Sequence, residues 1–187
     1  LILTLKTGSL KIKPELESES TIGPTVGEQA IRTGTISMIL GALATVLFML
    51  GYYRRVGSIA VLALLANMAL LLGAMALFRF TMTLPGLAGL VLTMGMAVDA
   101  NILIFERIRE ELEKGKVLAQ AVKNGFQMAL STIVDANVTT LITALILYKV
   151  GTGPVRGFAV TLSVGIITSV FSALVISRLL CEIYLRY

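Results

Sequence analysis

The 187 residues are 56% hydrophobic and only 14% charged, with a mean hydropathy of +0.89, whereas a soluble domain carries roughly a quarter charged residues. This excludes a water-soluble globular fold and predicts an all-α polytopic membrane protein. The net charge of +5 is spread over short loops rather than gathered in a stripe, which argues against a nucleic-acid partner, and the absence of His with a single Cys181 excludes a His/Cys metal site or an internal disulfide built by this chain.

Residues 1–28 differ from the rest. Leu1, Leu3 and Leu5 alternate with other residues, as do Leu10-Lys11-Ile12-Lys13, in the period of two that marks strands. Pro14 and the acidic Glu15, Glu17 and Glu19 follow, and Gly23-Pro24-Thr25-Val26-Gly27 predicts a turn. There is neither an initiator Met nor a signal-peptide pattern. The segment is expected to be a short β-type tail, the C-terminal remnant of an external domain whose upstream part is missing.

Residues 29–187 form a transmembrane helical domain. Five apolar stretches, about 33–51, 57–78, 86–105, 126–148 and 157–178, each approach the ~20 residues that cross a ~30 Å hydrocarbon core. The charged segment 106–124 predicts a helix continuing out of the membrane, with i,i+4 pairs such as Glu110–Lys114. Small and polar residues recur at helical spacing on three faces: Gly34, Ser37, Gly41 and Thr45; Gly86, Gly89, Thr93, Ala97 and Ala100; and Gly157, Thr161, Gly165, Thr168 and Ser172. Such faces let helices approach closely in lipid. Tyr52, Tyr53, Tyr148, Tyr184 and Tyr187 fall at span ends, where interfacial anchors belong.

Arg54, Arg55, Arg107, Arg109, Lys114, Lys116, Lys123, Arg178 and Arg186 lie on one side, against Arg79, Lys149 and Arg156 in the short loops of the other. The richer side is expected to be cytoplasmic. That places the C-terminus inside and the N-terminal tail outside, in a multi-pass protein of the cytoplasmic membrane.

Two carboxylates interrupt the apolar stretches, both in the same tetrapeptide: Val98-Asp99-Ala100-Asn101 and Val134-Asp135-Ala136-Asn137. An ionisable group at membrane depth costs about 2.5–3.5 kcal/mol on insertion scales, so it is normally there for a purpose. Asp99 lies about 9 Å and Asp135 about 14 Å from the cytoplasmic ends of their spans at 1.5 Å per residue, a comparable depth that lets them face each other or a shared cavity. Ser131, Asp135, Thr139 and Thr143 form a continuous polar stripe, broadened by Asn137 and Thr140, whereas Asn101 sits on another face from Asp99, closer to a neighbouring helix. No Lys or Arg lies inside the five spans, Arg178 standing at the very end of the last. A desolvated carboxylate without a counter-cation is either protonated at rest or paired to a cation from elsewhere, and a group balanced between those states can carry protons. Asp99 and Asp135 are therefore the proton-relay candidates, with Asn101, Asn137, Thr139 and Thr140 as supporting polar groups. The competing role is interhelical glue, a protonated Asp bonded to Thr or Asn.

The run from Leu92 to Glu111, LTMGMAVDANILIFERIREE, closely resembles the fourth-span signature of the SecD family, membrane subunits of the Sec protein-export system of bacteria and archaea related to the RND transporters. Thr132 to Thr140, Thr21 to Gly27 and Gly153 to Ala159 agree as well, so the resemblance covers essentially the whole chain. It implies an RND-like six-helix half of which five helices are present. It implies a subunit, not an enzyme and without cofactor or metal, that uses the proton-motive force late in export to draw unfolded secretory polypeptides across the membrane. Its implied partners are SecF, the Sec translocon channel, an accessory membrane insertase, protons and membrane lipid. Asp99 matches the family's intramembrane proton carrier, faced by charged groups of SecF. The other functions weighed are a small-molecule efflux transporter of the RND superfamily and a non-transporting scaffold that stabilises the translocon.

Overall fold

A computed structural model describes residues 24–186. Among them every regular element is helical, and five helices have the length and apolarity to cross a membrane. The expected β-type tail lies outside the described residues up to position 23. Its last residues, 24–28, are helical, so the turn expected at 23–27 is instead a helix start.

The helical stretch Pro24–Leu77 is broken at Arg54, whose φ of 48° and ψ of −116° reverse the chain and divide it into two spans, α1 (Ile31–Arg54) and α2 (Val56–Leu77). The reversal is tight: a Cβ on Gly57 would stand 2.1 Å from the Met49 carbonyl oxygen, which only glycine permits. Tyr53 anchors this corner by donating its hydroxyl to Glu106 Oε1 at 2.9 Å.

Helix α3 (Leu84–Glu113) is capped by Thr83, whose hydroxyl oxygen accepts from the Gly86 N–H. Its 30 residues span about 45 Å at 1.5 Å per residue, longer than a hydrocarbon core of about 30 Å. The charged turns after Phe105 therefore stand outside it. The helix expected over 106–124 runs only to Glu113. Gly115, at φ 81°, turns the chain, and residues 118–124 already belong to α4 (Leu118–Val150). The ion pairs also differ from the expected Glu110–Lys114: Arg107 holds Glu110 at 2.9 Å, Arg109 holds Glu113 at 3.3 Å, and Lys114 turns to Glu111 at 2.6 Å. Glu111 wins because it faces inward, where Lys116 and Asn124 also donate to it.

Gly153, at φ 50°, and Pro154 open α5 (Pro154–Phe171), which runs through a π turn at Ser172–Ile176 into α6 (Ser177–Arg186) as one continuous span. Two of the three small-residue faces meet each other. A Cβ on Gly165 would lie 2.2 Å from Thr93 Cγ2, and Gly89 lies opposite Thr161 and Phe158. Helices α3 and α5 thus form the centre, with α2 beside them. Buried positions make up 39% of the apolar window of α2 and 44% of those of α3 and α5–α6, against 6% in α1 and 11% in α4. The third face, on α1, meets α3 at Gly34, whose Cβ position lies 3.6 Å from Leu87, and is open further along, where Gly41 has nothing within 4 Å of a Cβ position.

Candidate functional site

Helix α3 has two dissimilar faces. Thr93, Ala97, Ala100, Asn101 and Ile104 are buried in the bundle, whereas Leu92 and Asp99 are exposed on the outside. The carboxylates expected inside the bundle stand at its surface: Asp99 and Asp135 are both exposed in this chain. The reason is geometric. Asn101 and Asn137 each take the core-facing position of their helices, and a residue two places earlier lies about 200° around the axis.

Asp99 lines a groove of about 380 Å³ between α3 and α4, together with Met96, Leu103, Thr132, Asn137 and Thr140. Asp135 does not line this groove, although residues 132–140 flank it and set Asp135 at a similar height. Neither carboxylate has an ion pair among the described residues. Asp99 is thus an acid in a largely apolar trough with no cation paired to it among the described residues.

The supporting polar groups divide into two kinds. Asn101 is buried and fully engaged: its Nδ2 donates to the Ala97 carbonyl at 2.9 Å, and its Oδ1 accepts the Ser177 hydroxyl of α6. That is an interhelical tie, facing away from the groove. Asn137 donates from Nδ2 to the Ile133 carbonyl at 2.7 Å, but its buried Oδ1 has no partner among the described residues. It lines both the Asp99 groove and a second, apolar groove of about 430 Å³ beside Val170 and Leu174. An unpaired buried acceptor costs roughly 1–3 kcal/mol, so this oxygen is poised to take a donor. Thr139 and Thr140 donate their hydroxyls to carbonyls of their own helix, at Asp135 and Ala136 (3.0 and 3.1 Å). Their lone pairs remain as acceptors. Only Thr140 of these two reaches the groove.

Several polar positions escape the sequence patterns. Asn67 of α2 is buried with an unpartnered Oδ1, and a lone amide inside an apolar stretch is its only signal. Ser172, in the π turn, donates to the Ala63 carbonyl of α2 at 2.8 Å. Glu111 gathers Lys114, Lys116 and Asn124 around one carboxylate, and these donors hold it down to about 2.

Residues 4–186 match the family model described as protein export membrane protein SecD/SecF, C-terminal. The protein translocase subunit SecD of Calditerrivibrio nitroreducens is 52% identical over 178 residues, covering 95% of this chain and 34% of the relative. That of Rhodothermus marinus is 53% identical over 182 residues, covering 97% and 29%. A crystal structure of SecDF, a translocon-associated membrane protein from Thermus thermophilus, superimposes with a TM-score of 0.86 at 50% identity, over 89% of this chain and 23% of that one. The chain therefore spans about a third of the length of the curated relatives it matches.

Proposed function

This chain belongs to the SecD/SecF family of protein-export membrane proteins, and from that membership we propose that it is the membrane-embedded part of a SecD-type subunit in which Asp99 cycles between protonated and ionised forms. The subunit works with SecF, the Sec translocon channel and an accessory insertase late in the export of unfolded secretory polypeptides. The proton-motive force drives it. Its C-terminus and the α3–α4 loop face the cytoplasm, in keeping with the basic residues on that side.

The observation that carries this reading is the Asp99 groove: an exposed carboxylate on an apolar wall, with no ion pair among the described residues, in a lining that includes Asn137, whose amide oxygen lacks a donor there. A charge so placed in lipid is untenable, so the groove must be covered by another protein surface or Asp99 must be neutral. Those two conditions are the end states of a proton switch. A neutral Asp99 carries an O–H that can satisfy the Asn137 acceptor, directly or through water. An ionised one needs a cation from the covering partner. Each state favours a different seating of the partner, and differential stabilisation is what shifts a two-state equilibrium. Asp135, with Thr139 beside it, lies on the neighbouring face of α4 as the secondary candidate.

The test is Asp99→Asn in the full-length subunit with its partner, assayed for proton-driven export in membrane vesicles alongside co-purification of the complex. Loss of export with assembly intact supports the proposal; unchanged export removes it.

A further inference from the structure

At the end of the bundle that carries the α3–α4 loop, α4 and α6 part and leave a recess of about 530 Å³. Val122, Leu179 and Ile183 give it apolar walls, and Lys123, Arg178 and Glu182 stand at its rim. Leu179 and Ile183 are half exposed, at 56% and 49%. Arg178 is the last residue of the apolar stretch 157–178, and Lys123 precedes the stretch 126–148 by three residues, about 4.5 Å along a helix axis. Both cations therefore sit at the edge of the hydrocarbon, where phospholipid phosphates lie.

The electrostatics favour an anion. Glu182 accepts from Arg178 Nε at 2.9 Å and offsets one charge, while Lys123 has no ion pair among the described residues, leaving the rim net positive. The recess also reaches Ala119 in the first turn of α4, whose N-cap Val117 makes no side-chain bond and whose first turn holds no acid. The positive end of that helix dipole is open toward the same space.

We propose that this recess is a binding site for one anionic phospholipid of the phosphatidylglycerol or cardiolipin type. The phosphate lies between Lys123 and Arg178, and an acyl chain runs along Leu179 and Ile183. Basic pockets between transmembrane helices at the cytoplasmic surface take such headgroups. The occupied site pins the start of α4 to the end of the last span, and the inference does not depend on what Asp99 does.

The experiment uses the full-length subunit with its partner in nanodiscs and measures the selectivity for spin-labelled phosphatidylglycerol over phosphatidylcholine. Lys123→Gln with Arg178→Gln is expected to lower the bound fraction of the anionic lipid by about tenfold. Lys149→Gln at the opposite end leaves it unchanged, and Lys123→Arg with Arg178→Lys retains it. Equal selectivity in the neutralised double variant overturns the site. So does displacement of the labelled lipid by soluble glycerol phosphate, which marks a phosphate site, or loss of the partner subunit in place of lipid, which marks a protein contact. Should the neutralised variant fail to fold, Lys123→Gln alone decides: lowered selectivity supports the proposal, and unchanged selectivity refutes it.

Discussion

The two Val-Asp-Ala-Asn tetrapeptides are the same four residues placed in two different surroundings. In both, the aspartate is exposed, the asparagine is buried, and the asparagine Nδ2 donates to the carbonyl four residues back. They part at the other amide atom. Asn101 Oδ1 is closed by the Ser177 hydroxyl, whereas Asn137 Oδ1 is left open. The aspartates part as well: Asp99 lines the groove between α3 and α4, and Asp135 does not. The closed asparagine thus belongs to the framework, and the open one belongs to the lining of the Asp99 groove. A single motif divides structural from functional work according to what its neighbours supply.

The widest gap between the two copies should appear in the carboxylates themselves. Asp99→Asn is expected to abolish proton-driven export in vesicles, while Asp135→Asn retains a measurable rate. Equal loss in both would erase the distinction. The asparagines come next, and they should separate by readout. Asn137→Leu is expected to slow proton-driven export about tenfold with little change in melting temperature, because its Oδ1 has no bond to lose within the bundle. Asn101→Leu strands the Ser177 hydroxyl, lowers stability by about 1 kcal/mol and lowers Tm in detergent.

The closed side can be pressed harder still at the α3–α5 seam. Gly165→Ala drives a methyl into Thr93 and should cost about 1–3 kcal/mol by thermal unfolding, as overpacking does, against no measurable cost within this bundle for Gly41→Ala, which meets open space. The smallest effect belongs to the α3–α4 loop. Glu111, held down to about 2, stabilises its clamp fully above the ordinary carboxylate value of 4.5, and that contribution fades as the pH falls from there through about 2. Amide protection factors across 112–118 should therefore be flat near neutrality and fall only in acid, and Glu111→Gln should lower them near neutrality, the difference closing as the pH falls through about 2. An unchanged exchange profile in that variant would leave the clamp without a structural role.

Much of this architecture is legible in the residue pattern because lipid imposes a single rule on every span. Twenty apolar residues bounded by charge locate a helix, and small residues at helical spacing locate the seam that Gly89, Thr93, Thr161 and Gly165 form. The ends are less legible. Glutamates and arginines after Phe105 are good helix formers, so α3 runs on until Gly115 provides a positive φ. The candidate site is legible in its chemistry and not in its direction. Hydropathy marks Asp99 and Asp135 as anomalous, but which face they take depends on the helices packed behind Asn101 and Asn137. The Asn101–Ser177 tie spans 76 positions, and no local pattern announces it. Glu111 was similarly hidden, since its three donors are spread from 114 to 124 within a stretch that looks uniformly solvated.

The π turn at Ser172–Ile176 sets the rotational phase of the chain's end. Each π turn adds one residue to the helical repeat, so everything after it is set back by about 100° relative to an uninterrupted α-helix. That offset brings the Ser177 hydroxyl under Asn101 and holds Arg178 on the side of Lys123. Winding the same residues into a regular α-helix would swing Ser177 off the core and carry the terminal cation round to another quadrant, whereas deleting one residue from 173–176 would abolish the π turn and leave both where they stand.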